Sequence, residues 1–167
     1  MYFKEPLIID GIFTEEDIKS MKIMVDKELD TNEKTESCLN GRRGVGIYNS
    51  TFNKFLSNKI MEYIPNNNNL EIYERVVLLK YEGKSTGTTM HQDQKMDKRE
   101  VIGCMIYLND VVGQGYTIFY GKDMKEICKV SPEEGRVVFF DMDMWHKGDT
   151  IEGCTKYVVI LTFSIKS

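Results

Sequence analysis

Two histidines and one aspartate are the side chains best suited to chemistry in this 167-residue chain. His91 and Asp93 lie two positions apart in the stretch Thr89-Met90-His91-Gln92-Asp93, and His146 is the only other histidine. In a β-strand, residues two apart point to the same face, so this spacing predicts that His91 and Asp93 project side by side. A site that also includes His146 uses every imidazole of the chain.

The types of these three residues indicate a metal ion. Two histidines and one carboxylate on one face of a metal ion leave three positions open, which is typical of non-haem Fe(II) that reacts with dioxygen. Catalytic zinc uses a similar set of ligands, so the residue types alone leave both metals open.

Lys156 favours iron with an anionic cosubstrate. It lies ten positions after His146, in an apolar segment that is predicted to be the last strand. A lysine that points inward there loses its hydration unless an anion meets it, and a dicarboxylate cosubstrate would supply that anion. Strand alternation leaves a second possibility open, in which Lys156 lies at the rim of the sheet with its ammonium group in water.

The segments that must position these residues change character near residue 70. Before it, the helical spacing of apolar residues predicts helices over 14–29 and 51–64. The glycine-rich basic stretch 41–46 could approach a ligand, and we interpret it as a flexible, solvated loop. After it, short segments rich in Val, Ile, Tyr and Phe predict strands over 73–81, 100–108, 116–120, 136–141 and 156–165. We therefore expect a mainly β fold with flanking helices packed outside it.

Composition and charge indicate one globular domain over residues 1–167. A hydrophobic fraction of 41% with 29% charged residues is ordinary for a globular protein. The net charge of -4, with no long block of either sign, argues against nucleic acid and anionic membranes as partners. The longest apolar run, 157–163, is too short to span a bilayer, so no membrane segment is expected.

The beginning of the chain and its cysteines favour a reduced, cytoplasmic location. The first ten residues lack the apolar run of a signal peptide. The cysteines form no C-x-x-C pair and are expected to be packing residues. They are Cys38, Cys104, Cys128 and Cys154.

A series of motifs resembles the prolyl 4-hydroxylase-like branch of the Fe(II)/2-oxoglutarate-dependent dioxygenases, over about residues 76–163. In order along the chain they are Leu79-Lys80-Tyr81-Glu82-Gly83, His91-Gln92-Asp93, Tyr107-Leu108-Asn109-Asp110, Gly115-Tyr116-Thr117-Ile118-Phe119, Ser131-Pro132-Glu133-Glu134-Gly135-Arg136, His146 and Lys156. A lysine ten positions after the second histidine, in place of an arginine, is more similar to the prolyl 4-hydroxylases than to other branches.

The resemblance implies a double-stranded β-helix (jelly roll) core over about 71–167, preceded by a helical part over about 1–70. It implies that Lys156 pairs with the distal carboxylate of 2-oxoglutarate. The catalytic Fe(II) ligands that it implies are His91, Asp93 and His146. The further cosubstrate contacts that it implies are Tyr81, Tyr107 and Thr117.

The activity implied by the resemblance is hydroxylation of a prolyl residue in a protein or peptide. Dioxygen is consumed, 2-oxoglutarate is converted to succinate and CO2, and ascorbate is a further candidate cofactor. Where the family usually shows Gly-Gly-Glu-Thr this chain has Gln114-Gly115-Tyr116-Thr117, a departure on the substrate side.

Two alternatives stay open at this point, and the oligomeric state is not predicted. One is an oxygenase of the same fold that acts on another residue, a nucleobase or a small molecule. The other is a β-helix binding module without catalysis, which the complete set of metal-binding and anion-binding residues argues against.

Overall fold

The computed structural model describes residues 2–31, 36–38 and 41–166, and in this part it contains two α-helices and eleven strands. The helices are α1 (Glu15–Thr31) and α2 (Ser50–Ile60), with 3-10 turns at Met61–Tyr63 and Asn67–Asn69. The strands are β1 (Leu7–Ile9), β2 (Glu36–Cys38), β3 (Arg42–Tyr48), β4 (Leu70–Ile72), β5 (Arg75–Ser85), β6 (Glu100–Tyr107), β7 (Thr117–Tyr120), β8 (Glu126–Val130), β9 (Val137–Asp141), β10 (Trp145–Gly148) and β11 (Ile151–Ile165).

A large antiparallel sheet carries eight of these strands. Its order is β1-β9-β6-β11-β5-β3-β2, and β4 pairs with one end of β11. The long strand β11 is central, because it pairs with β5 along its first part and with β6 along its second. Its residues alternate between two buried faces, so Val158 packs inward on one side and Val159 on the other.

A small antiparallel sheet with the order β10-β7-β8 lies against one face of the large sheet. Phe119 of β7 packs on Phe140 of β9, with ring centroids 5.2 Å apart, and both side chains are fully buried. Tyr107, Val138 and Val158 of the large sheet belong to the same apolar cluster. These two layers form the double-stranded β-helix core, so the predicted fold class is confirmed.

The helices cover the opposite face of the large sheet. The backbone N–H of Asp17 donates to the Thr14 hydroxyl, and the N–H of Thr14 donates to the Asp17 carboxylate, so the two residues cap the start of α1 reciprocally. The apolar stripe of α1 is buried in the outer core, and burial of each such side chain contributes about 1.5 to 3 kcal/mol. Its members are Ile18, Met21, Val25 and Leu29.

The glycine-rich stretch 41–46 differs from its sequence interpretation, because 42–48 form strand β3, which pairs with β5. Glycine usually weakens a strand, and for that reason the pattern resembles a loop. Here a Cβ on Gly44 would lie 2.7 Å from Leu79, and one on Gly46 would lie 2.3 Å from Arg75. Side chains of β5 thus lie over both glycines of β3, and the loop interpretation is wrong.

Strands β1 and β3, from the part before residue 70, join the large sheet. The assignment of 1–167 to a single domain, with a division near residue 70, stays a prediction. No helix in the described part of the chain is long and apolar enough to cross a membrane. Cys104, Cys128 and Cys154 are free thiols, whereas the side chain of Cys38 lies outside the described residues.

Candidate metal centre and cosubstrate cavity

His91 and His146 are held together by backbone pairing. His146 lies on β10, and His91 forms an isolated antiparallel bridge with it, in which each N–H donates to the carbonyl of the other residue at 2.9 Å. Their ring centroids are 4.5 Å apart. Asp93 lies outside any strand, so strand alternation does not orient it beside His91. The structure brings the three residues together by a different route from the one that the spacing suggests.

The donor atoms of the three side chains converge on one point. Asp93 Oδ1 lies 3.6 Å from His91 Nε2 and 3.4 Å from His146 Nε2, and the three ligand atoms all lie within 4.8 Å of one another. Two ligands that are each about 2.1 Å from a common ion, at right angles, are about 3 Å apart. The observed spacing therefore fits a metal ion after a small inward shift of the side chains.

The hydrogen bonds of the two imidazole rings leave Nε2 of each ring available to bind a metal ion. His91 Nδ1 lies 2.7 Å from the carbonyl oxygen of Thr89, and His146 Nδ1 lies 3.0 Å from that of Met144. A carbonyl only accepts, so each Nδ1 carries a proton, and Nε2 is left to face Asp93. Second hydrogen bonds of this kind fix the ring orientation of metal-binding histidines.

Asp93 supplies the negative charge of the centre. Burial raises the pKa of its carboxyl, but the hydrogen bonds to His146 and His91 outweigh burial, so the pKa lies well below its usual value. The same hydrogen bond with Asp93 raises the pKa of His91. A carboxylate that is ionised in a half-buried place attracts positive charge, and a divalent cation bound by all three residues would supply it.

Lys156 is a buried cation, with only 5% of its surface exposed. Its ammonium group donates to the carbonyl of Gly115 at 2.6 Å, and no described carboxylate lies within salt-bridge distance of it. Loss of hydration lowers the pKa of Lys156 to about 8. Of the two orientations that the sequence leaves open, the structure shows the inward one.

A cavity of about 70 Å³ joins Lys156 to the three metal-binding candidates. The Lys156 ammonium lies 5.4 Å from the ring centroid of Tyr81 and 5.1 Å from that of Tyr107. The Tyr107 hydroxyl donates to Thr117 Oγ1 at 2.6 Å, and burial raises the pKa of Tyr107. All seven site residues suggested by the sequence line this cavity: Tyr81, His91, Asp93, Tyr107, Thr117, His146 and Lys156.

A larger groove of about 480 Å³ adjoins this cavity. It extends from the metal-binding candidates along β3 and β5 to Arg75 and Glu100. The three metal-binding candidates thus lie between a small cavity that ends at Lys156 and the larger groove, and His91 and Asp93 line both spaces. The residues that line both spaces are Arg42, Leu79, His91, Asp93 and Ile160.

The structure adds two residues to the site, of which the sequence indicates Arg42 only as part of a basic stretch that could approach a ligand. Thr88 pairs with the end of β10, because its N–H donates to the Gly148 carbonyl at 3.0 Å and its hydroxyl accepts from the Gly148 N–H at 2.7 Å. No sequence pattern marks this threonine. Arg42 lines both spaces, but the alternation that turns it inward becomes visible only when 42–48 are recognised as a strand.

Comparisons with known proteins agree with this geometry. Residues 76–164, slightly more than half of the chain, match the family model of the 2OG-Fe(II) oxygenase superfamily. A comparison with curated protein sequences gave no match.

Solved structures share the fold at low sequence identity. A prolyl-4-hydroxylase of Pseudomonas putida is 14% identical, with a TM-score of 0.74 over 97% of this chain and 93% of that one. A prolyl hydroxylase of Trichoplax adhaerens, in complex with a hypoxia inducible factor oxygen degradation domain peptide fragment, is 15% identical, with a TM-score of 0.75 over 97% and 84%. HygX of Streptomyces hygroscopicus, with nickel and 2-oxoglutarate bound, is 11% identical, with a TM-score of 0.72 over 96% and 82%.

Proposed function

The chain belongs to the 2OG-Fe(II) oxygenase superfamily, and from that premise we propose that it hydroxylates a prolyl residue in a protein or peptide. The family implies Fe(II), 2-oxoglutarate and dioxygen. In the balanced reaction one oxygen atom of dioxygen enters a C–H bond of the substrate, and the other enters the succinate that remains when 2-oxoglutarate loses CO2.

His91, Asp93 and His146 are the proposed ligands of Fe(II). When bound, the metal supplies the redox chemistry that activates dioxygen. The convergence of the three donor atoms on one side supports this assignment, because it leaves the opposite side open for cosubstrate and dioxygen. The carbonyls of Thr89 and Met144 hold the two rings in the required orientation.

Lys156 is the proposed partner of the distal carboxylate of 2-oxoglutarate. Its ammonium group has three donors, and the Gly115 carbonyl takes one of them. The remaining donors face the cavity that leads to the metal ligands, which supports a dicarboxylate bound between the two. Tyr81, Tyr107 and Thr117 are the proposed side walls of this cosubstrate site.

The open groove is the observation that carries the proposed peptide substrate. Near the metal ligands its wall is apolar, with Val77, Leu79 and Ile160, and a pyrrolidine ring has no N–H that this wall would leave unpaired. Gly44 and Gly46 line its floor, where the side chains of Leu79 and Arg75 lie over the two glycines. The two prolyl hydroxylases among the similar structures, one of them with a bound peptide, also support this choice.

Succinate formation tests the proposal. The protein is incubated with Fe(II), 2-oxoglutarate and ascorbate, with proline-containing peptides and with matched peptides in which alanine replaces each proline. We expect succinate above a His91→Ala blank, an increase with the proline peptides only, and a gain of one oxygen atom in peptide mass. Succinate without any effect of proline would refute the prolyl substrate, and none above the blank would refute the assigned site.

A further inference from the structure

We infer that Arg75 binds an acidic side chain of the substrate, a few residues away from the hydroxylated one. This inference rests on the proposed peptide substrate and names its chemical class. It concerns the end of the groove that lies farthest from Lys156, where no residue has a role in the proposed chemistry.

Arg75 and the cosubstrate site share one face of the large sheet. On β5, side chains two apart point the same way, so Arg75 faces the groove with Val77, Leu79 and Tyr81. The register pairs Gly46 with Val77 and Gly44 with Leu79. The floor between the proposed metal ligands and Arg75 is therefore formed by side chains of β5 that lie over the glycines of β3, and we infer that a peptide in extended conformation lies along it.

The guanidinium of Arg75 lies across this floor. A Cβ on Gly46 would come within 2.3 Å of Arg75 Nε and 2.6 Å of Nη2. The arginine thus occupies the space that a side chain at position 46 would fill, and it lines the groove there.

Arg75 has no ion pair or hydrogen bond with any described residue, although it is half-buried. Other arginines are paired: Arg43 with Asp30, Arg99 with Asp97, and Arg136 with Asp10. Among the described residues that line the groove, Glu100 is the one glutamate, and it already accepts hydrogen bonds from the Asp97 N–H and the Thr162 hydroxyl. The fork of N–H donors on Arg75 is therefore available, and its planar geometry matches a carboxylate.

The distance along the strand sets the position of the acid in the substrate. Leu79 lines both the cosubstrate cavity and the groove, and Arg75 lies four positions from it, or about 13 Å of extended strand. An extended peptide covers that length in about four residues, and the long arginine side chain shortens the gap. We therefore place the acidic residue about two to four positions from the target proline.

Peptide binding tests the inference independently of turnover. Fluorescein-labelled peptides carry a central proline and one aspartate, placed in turn at each of the five positions on either side, and their counterparts carry asparagine there. Binding to protein loaded with Mn(II) and 2-oxoglutarate is measured by fluorescence anisotropy. The variants are Arg75→Gln and, as a matched control, Arg43→Gln, because Arg43 lies on the same sheet but pairs with Asp30 on the other face.

We expect one aspartate peptide to bind the parent protein and Arg43→Gln about fivefold to tenfold more tightly than its asparagine counterpart. In Arg75→Gln this difference disappears, and in the parent protein it shrinks as salt is raised. With Arg75→Glu the preference changes to a peptide with lysine at the same position. Equal binding of all pairs by the parent protein, or a difference that persists in Arg75→Gln, would overturn the inference.

The succinate assay separates this inference from the proposed function. If proline peptides are turned over without any preference for aspartate, the proposed hydroxylase function stands and the inference about Arg75 is refuted. If the aspartate preference depends on Arg75 but no succinate forms, the inference about Arg75 stands and the proposed hydroxylase function is refuted. Thermal melts of each variant show that the proteins compared are folded, and Arg75→Lys, which keeps the charge, must retain part of the preference.

Discussion

Lys156 shows at the scale of one residue how burial of a charge lowers stability at the place where the charge has a proposed role. Its pKa of about 8 lies below the usual 10.5, because burial disfavours the charged form. Between these two values the unfolded chain binds more protons than the folded one, so stability of the ligand-free protein rises with pH across this window. Below pH 8 the folded protein carries the full cost of a buried ammonium group whose described partners are a carbonyl and two tyrosine rings, with no carboxylate in salt-bridge distance.

Replacement of this lysine should therefore separate stability from cosubstrate binding. In Lys156→Met the ligand-free protein should gain about 1 kcal/mol or more, because an apolar side chain of similar length replaces a buried charge. Affinity for 2-oxoglutarate should fall about tenfold to hundredfold. Thermal unfolding and calorimetric titration in Mn(II) measure the two effects. Lys125→Met, at an exposed lysine, is the control and should change neither; an unchanged affinity in Lys156→Met would contradict the proposed role.

The same pKa predicts how cosubstrate binding depends on pH. Only a protonated Lys156 can pair with a carboxylate, so the dissociation constant for 2-oxoglutarate should begin to rise near pH 8 and approach a tenfold increase per pH unit above it. Asp149 and Cys154 are the neighbouring groups that oppose the lowered pKa. Titrations with Mn(II) between pH 6.5 and 9.5 check the slope. A constant affinity over that interval would show that the lysine charge takes no part.

At the scale of elements, the segment before His91 must stay paired with β10 for the metal ligands to meet. Gly87 has a φ of +75°, and a Cβ there would lie 2.3 Å from the carbonyl oxygen of Gly148, the last residue of β10. Gly83 has a φ of +70°, but no described atom lies within 4 Å of its Cβ position. Alanine at either position adds left-handed strain of about 1 to 2 kcal/mol, and only Gly87→Ala also pushes the segment away from β10.

We therefore expect Gly87→Ala to lower Mn(II) affinity at least tenfold although every ligand is intact. Gly83→Ala, the control that carries the left-handed strain without the clash, should lose less stability than Gly87→Ala and keep its Mn(II) affinity within about twofold. Calorimetric titration gives the affinities, and thermal melts give the stabilities. Equal metal binding by the two variants would mean that the pairing between Thr88 and Gly148 does not hold His91 in place.

The elements also show what sequence patterns can and cannot predict. Helix α1 and strand β11 follow from their apolar spacing, because each buries a regular stripe and has few competing signals. Strand β3 cannot be predicted from such spacing, because its glycines lie under the side chains of Leu79 and Arg75, which belong to a different strand. The pairing of His91 with His146 is likewise a contact between residues 55 positions apart, which local periodicity does not contain.

At the scale of the whole molecule, the candidate site lies between the two sheets. His146 belongs to the small sheet and Lys156 to the large one, and the cavity between them is bounded by both layers. The sequence predicts which residues form the candidate site, because the motifs that contain them are recognised from residue types and their order in the chain. It does not predict the groove toward Arg75, because that surface depends on the register between β3 and β5.

A ligand pair that binds both sheets should stabilise the entire fold. Each ligand present at about one hundred times its dissociation constant adds about 2.7 kcal/mol, which for a chain of this size raises the melting temperature by about 5 to 10 °C. We expect Mn(II) alone to produce a rise of this size, and Mn(II) with 2-oxoglutarate to produce about twice that rise. In Lys156→Met the additional rise with 2-oxoglutarate should shrink to half or less, whereas Asp93→Ala should show neither effect. If 2-oxoglutarate stabilised Asp93→Ala as strongly as the parent protein, its binding would not depend on the metal, and the cosubstrate would not bridge the two sheets as proposed.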